Sequence, residues 1–225
     1  MSKNRTAQLI LQSSYMALGL LAVVASFGVF EMEFRLDAYM YFTNLCNYLC
    51  LGIMIAELRQ TAKKKEDSYV SFSPLLKFIG LVGIILTAVV FYTMLAGGRD
   101  PASNFRVGMV LLHLVLPIMY TADWVLFYEK KKVRITYPLI SILLPLAYIV
   151  FIYIHAAALG FDTSILNYYK SGPYIYPYFF LNVEKIGVGG VAKWCALLSI
   201  GFIAAGYLLL GIDRLLGRIC DKSGH

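Results

Sequence analysis

AYMYFTNLCNYLCLGIMIAE, Ala38–Glu57, is long and apolar enough to be a membrane helix, yet it carries Thr43, Asn44 and Asn47 within its first three turns. About 20 residues at 1.5 Å each cross a ~30 Å hydrocarbon core. Hydrogen-bonding side chains at that depth either join helices or build a site.

The rest of the chain has the same character. Of its 225 residues, 60% are hydrophobic and only 15% charged, against about a quarter charged in ordinary soluble domains. The apolar residues gather into runs over Leu9–Phe30, Ala38–Glu57, Pro74–Ala96, Arg106–Tyr128, Ile135–Leu159 and Val188–Gly211. Backbone in lipid must satisfy its own polar groups, so each run is expected to be a helix. The expected fold is an all-α, polytopic membrane protein, a single six-helix transmembrane domain over residues 1–225. The first run is longer than a signal-peptide core and lacks a small-residue cleavage site, so it reads as a retained helix.

The net charge of +7 raises nucleic acid as a partner, but the placement of the charges argues for topology. Lys and Arg concentrate at both ends and in RQTAKKKEDSYVSFS (59–73) and EKKKVR (129–134). The positive-inside rule then puts both termini in the cytoplasm, with membrane lipids as the partners and no nucleic acid. A bacterial plasma membrane is the expected location. The tight EKKKVR connection predicts that the fourth and fifth helices are antiparallel neighbours. Ser73-Pro74 reads as an N-cap with proline at the first helical position. Gly201 and Ala205 form a small-residue pair suited to helix packing. Cys46, Cys50, Cys195 and Cys220 show no C-x-x-C spacing, so neither a structural disulfide nor zinc is expected.

The connection over 160–187, GFDTSILNYYKSGPYIYPYFFLNVEKIG, is too long and too aromatic for a simple turn. It reads as an extracytoplasmic cap or lid.

Counting along the helices gives depth. Thr43 lies five residues in from the outer end of the second helix, roughly 7–8 Å, and His113 seven residues in on the fourth, roughly 10 Å. Tyr92 and His155 fall in the same outer layer. Thr43, Asn47 and Cys50 share one helix face, as do His113, Pro117, Tyr120 and Trp124. Pro117 has no N–H, so the carbonyl of residue 113 loses its helical donor and the helix should kink beside the imidazole. Asp123 and Glu57, near the inner ends of their helices, read as anchors to headgroups or basic side chains. No charge pair is expected near the midplane, and with no inverted repeat this weighs against a transporter.

These residues permit a specific chemistry. A threonine hydroxyl becomes nucleophilic when a neighbouring base takes its proton, and neutral imidazole is such a base. Asn44 or Asn47 would donate to the oxyanion. The competing reading for Thr43 is a hydroxyl bonded back to the carbonyl near Tyr39; for the asparagines it is helix glue.

The segments FTN (Phe42–Asn44), HLVLP (His113–Pro117) and YPYFFLNVEKIG (Tyr176–Gly187) together resemble the androgen-induced family of six-helix membrane proteins and its bacterial relatives. The resemblance implies an intramembrane hydrolase of lipid esters, of the fatty acid ester of hydroxy fatty acid kind, with Thr43 as nucleophile and His113 as base. Tyr176 and Glu184 would support the site, and no metal or other cofactor is implied. Two other classes remain at this stage: a haem-binding electron carrier using His113 and His155, and a non-enzymatic membrane protein that handles or transports lipid.

Overall fold

The computed structural model describes residues 4–32, 34–63, 71–98, 100–159 and 176–222. Residues 160–175, the first part of the expected lid, lie outside the described residues. Among the described residues every regular element is helical and there is no strand.

Helix α1 (Arg5–Ser26) starts at Asn4, whose side chain accepts from the Ala7 N–H at 3.0 Å. A short 3₁₀ turn, Leu36–Met40, leads through extended Tyr41 into α2 (Phe42–Lys63). Helix α3 (Pro74–Val90) has the expected start, with Ser73 capping Leu76 and proline in the first turn. It continues into a π-helical turn, Phe91–Leu95. The next membrane helix is assembled from α4 (Val107–Val110), a second π-helical turn (Leu111–Val115) and α5 (Leu116–Leu126). Then come α6 (Tyr137–Ile140), α7 (Leu143–Leu159) and α8 (Val183–Lys222).

Five of these segments, Arg5–Ser26, Pro74–Gly98, Val107–Leu126, Tyr137–Ala158 and Val183–Asp221, are long and apolar enough to cross a membrane. Helix α2 has the same 22 residues as α1 but a more polar composition. Its polar residues are turned inward: Thr43, Asn44, Asn47, Glu57 and Thr61 are all buried. The 40 residues of α8 are two helices joined at a kink, Gly187 at φ 68, and the part after the kink, about 52 Å at helical rise, by itself exceeds the hydrocarbon thickness.

Helix α2 packs between α1 and α3, α5 packs against α1 and α3, and α6 packs against α8 and α3. The short inner connection therefore does not make the fourth and fifth helical segments principal neighbours; the intervening turn carries the chain to the far side of α3. The tight approach on α8 is at Gly206, where an added Cβ would meet Pro138 at 2.9 Å, whereas Gly201 faces open space. Gly201 is thus not the packing residue the spacing suggested.

The inner half holds a buried polar cluster. Lys77 Nζ lies 2.6 Å from Asp123 Oδ2, both side chains fully buried. Gln12 Nε2 donates to Asp123 Oδ1 at 3.1 Å, and the Lys77 ammonium sits 4.1 Å from the centre of the Tyr120 ring. Asp123 thus takes the second of the two roles expected of it, pairing with a basic side chain, and does so buried near the ends of α3 and α5 rather than at the headgroups. Glu57 is also inward: it accepts from Ser71 Oγ at 2.6 Å and the Phe72 N–H at 2.9 Å, fixing the approach to α3. The four cysteines are free.

Candidate active site

Two cavities meet at Thr43. The larger, about 270 Å³, has Glu31, Arg35, Asp37 and Arg106 in its wall, together with Asn44 and His113. The smaller, about 70 Å³, is lined by apolar residues of α3, α7 and α8. Thr43, Leu95 and Tyr178 line both.

The start of α2 places Thr43 there. The Ala38 carbonyl accepts the Tyr41 N–H at 3.3 Å and Asn44 Nδ2 at 2.7 Å, which pins the first turn to the preceding 3₁₀ turn. Thr61, Thr87, Thr93 and Thr121 each return the hydroxyl to a carbonyl three or four residues earlier. That is the usual habit of helical threonine. Thr43 makes no such bond, and its side chain is presented to the two cavities. Beside it, burial pushes the Tyr178 phenol up to about 12, a rise that Thr43 opposes most strongly.

His113 lies in the middle of the second π-helical turn and is buried. The ring stacks on Phe91, with centroids 3.7 Å apart and planes 23° from parallel. Phe91 opens the first π-helical turn, so the two irregular turns face each other across the His–Phe stack. His113 Nδ1 is 3.0 Å from the Met109 carbonyl. A carbonyl only accepts, so Nδ1 carries the proton and Nε2 is the basic nitrogen.

The irregular turn also explains Asn47. The Leu116 N–H goes to Leu111, and Pro117 has none to give. The Leu112 carbonyl therefore loses both its α-helical and its π-helical donor. Asn47 Nδ2 fills that vacancy at 3.3 Å while also donating to the Thr43 carbonyl at 2.8 Å. The acceptor expected at residue 113 is thus matched one residue earlier, at 112. Asn47 ties the backbone of Thr43 to that of the His113 turn. With both amide hydrogens engaged it is a clamp, not an oxyanion donor, and it lines neither cavity. Asn44 does line the larger one and spends one N–H on Ala38, leaving the second for a ligand.

Several other expected site residues lie elsewhere. Tyr92 is half exposed and stacks edge-on with Phe91, on the outer surface. Pro117 is buried behind the site, where its missing N–H shapes the turn. Tyr120 belongs to the inner cluster and donates to the Lys77 carbonyl at 3.3 Å. His155 pairs with the Tyr39 hydroxyl. It lines neither cavity, so it shares no pocket with His113. Tyr176 packs on Tyr153, and Glu184 is an exposed residue in the first turn of α8. Arg35, Asp37 and Arg106 line the larger cavity and Phe91 carries the histidine ring, roles that charge and hydropathy along the chain do not signal. Tyr178, in the aromatic connection before α8, folds in against Thr43.

Comparison of the chain with protein-family models, with characterised proteins and with solved structures returns no match.

Proposed function

We propose that this protein is an intramembrane lipid-ester hydrolase, with six spans counting α2, both termini cytoplasmic, and a bacterial plasma membrane as its setting. The observation that carries the reading is the position of Thr43: no back-bond, a share in one cavity with His113, and a second, apolar cavity on its other side. An ester straddling those cavities presents its carbonyl at the hydroxyl.

In the first step His113 Nε2 takes the Thr43 proton as Oγ1 bonds to the ester carbon. The second Asn44 N–H is the donor available to the resulting oxyanion. Collapse breaks the bond to the leaving alkoxide, which takes the proton back from the imidazolium, leaving an acyl-threonine. Water, deprotonated by the same imidazole, then releases the acid and restores Thr43. Phe91 and the Met109 carbonyl fix the ring plane and tautomer throughout, and Asn47 holds the two backbones in register.

The Lys77–Asp123 pair lies near the ends of α3 and α5, not at the midplane, and lines neither cavity. The resemblance of FTN, HLVLP and the Tyr176–Gly187 segment to the androgen-induced family agrees with the hydrolase reading. A fluorophosphonate probe tests it: the purified protein is expected to be labelled on Thr43, and Thr43→Ala to lose the label. Equal labelling and equal esterase activity in Thr43→Ala overturn it.

A further inference from the structure

The outer wall of the larger cavity is charged in both signs. Glu31, Arg35 and Asp37 come from the connection between α1 and α2, and Arg106 from the residue that opens α4. The connection is tightly folded. Gly28 at φ 73 and Met32 at φ 53 turn the chain, the Arg35 N–H donates to the Phe27 carbonyl at 2.8 Å, and Phe27 stacks on Phe34 with centroids 6.3 Å apart. A methionine at positive φ is strained and persists only where its surroundings hold it. Glu31 and Asp37 are half-buried in the wall that results. Opposite charges around one cavity can satisfy one another. Among the described residues, Glu31, Asp37 and Arg106 make no ion pair and no side-chain hydrogen bond. A ligand of one sign would answer half of this wall and be repelled by the other half. A ligand that carries both signs answers all of it.

Resting on the hydrolase reading, we propose that this wall binds a zwitterionic lipid head, a phosphate joined to a primary amine, so that the ester offered to Thr43 is that of an aminophospholipid. Arg106 and Arg35 are the cations for the phosphate, and the ammonium donates to Glu31 and Asp37. Depth agrees. Arg106 stands seven residues outward of His113, roughly 10 Å of helix, and a headgroup layer is about 5–8 Å thick with the esters at its inner edge. Size agrees as well. The cavity of about 270 Å³ takes roughly 18–27 water-sized units at about 10–15 Å³ each, against eight heavy atoms in a phosphoethanolamine head. In a diacyl glycerophospholipid the phosphorus lies five bonds, and the amine nine, from the carbonyl carbon of the nearer ester. Holding the head at both charges therefore restricts where that carbonyl falls. Hydrolysis breaks the bond between the acyl carbon and the glycerol oxygen. Water supplies the hydroxyl of the released fatty acid, and the glycerol oxygen leaves with a proton as a lysophospholipid.

The experiment offers the full-length protein, in detergent micelles, four lipids with the same acyl chains: phosphatidylethanolamine, phosphatidylglycerol, phosphatidic acid and diacylglycerol. Released fatty acid is measured. Phosphatidylethanolamine is expected to give the highest kcat/KM, about tenfold or more above diacylglycerol, the scale of one hydrogen bond to a charged group. Arg106→Gln is expected to erase most of the advantage of the phosphate-bearing lipids over diacylglycerol, and Arg106→Lys to keep most of it. Asp37→Asn is expected instead to erase the advantage of phosphatidylethanolamine over phosphatidylglycerol. Each ratio is taken within one variant, so a poorly folded variant lowers both of its members alike. Diacylglycerol cleaved as fast as phosphatidylethanolamine, a preference for either lipid that lacks the amine, or ratios indifferent to Arg106→Gln and Asp37→Asn overturns the head site and leaves the hydrolase standing. If the wild type cleaves no ester, the hydrolase reading fails, and the head site is judged by binding. Native mass spectrometry of the protein with the four lipids at equal concentration is expected to show phosphatidylethanolamine bound in excess, with the excess lost in both variants. Equal binding of all four overturns it.

Discussion

The outer and inner halves of the helical core both bury polar side chains, and they do so in opposite ways. In the inner half Lys77, Asp123, Gln12 and Tyr120 converge on one another, the ammonium answered by a carboxylate and an aromatic face. In the outer half Thr43, Asn44 and His113 converge on space. The inner group holds α1, α3 and α5 together; the outer group is held by others, through Asn47, Phe91 and the Ala38 and Met109 carbonyls. Polarity in a membrane core is therefore not by itself a mark of chemistry. The distinction is whether the groups consume one another's bonding capacity or keep some of it facing a cavity.

The contrast is broken most sharply by substitutions on either side of it. Thr43→Ala is expected to reduce ester hydrolysis by about 10⁴-fold or more, the scale seen when a nucleophile is removed. Its thermal midpoint should stay within a degree or two, because the hydroxyl supports no helix bond. Parallel activity and melting measurements check this; a large drop in the midpoint would mean that Thr43 is structural after all. Lys77→Ala is expected to do the reverse. Stranding a buried carboxylate costs about 3–5 kcal/mol, whereas replacing the pair by apolar residues of similar size is often neutral. The Lys77→Met/Asp123→Leu double variant should then fold better than either single variant, read as the fraction of monodisperse protein recovered.

The two asparagines sharpen the comparison within one turn of α2. Asn44→Ala is expected to lower kcat by about 10²-fold, as for loss of one oxyanion donor, and to cost the cap on Ala38. Asn47→Leu should weaken the protein by about 1–3 kcal/mol, since the Leu112 carbonyl is left bare. Its catalytic loss should be the smaller of the two. Reversal of that order in kcat would reassign the oxyanion donor.

The smallest effect lies at the inner rim. Lys130 Nζ donates to the Trp124 carbonyl at 2.5 Å and lies over the Trp124 ring. Burial holds its ammonium down to about 8, against the pull of Asp213 in the other direction. In the unfolded chain the same group stays protonated to about 10.4. Between those values the unfolded state binds more protons, so stability is expected to rise as pH climbs from about 8 to about 10. A melting series over that range checks the rise, and Lys130→Met should flatten it.

The helices were legible because hydropathy runs are long-range in sequence and need no partner to be seen; α2 was found by length despite its polar residues. Counting from the helix ends put Thr43 and His113 at one level, and the two do line one cavity. Facing was not legible. Tyr92 falls on the wrong side, because it is Phe91 that faces His113 and the next residue points about 100° away around the helix. Asn47 sits on the Thr43 face, yet its use is dictated by a carbonyl on another helix. Lys77, just inside the start of α3, looked like a rim charge; only the approach of α5, 46 residues later, buries it.

Each π-helical turn carries one residue more than a plain α-turn would. Removing a single residue after His113 would let regular helix resume with the segments on either side facing nearly as before, because the wider turn is what absorbs the extra residue. The disturbance would fall on the side chains within Leu111–Val115, the imidazole among them, while the span stayed long and greasy enough to insert. A one-codon deletion could thus produce an inert protein that still reaches the membrane in normal amounts.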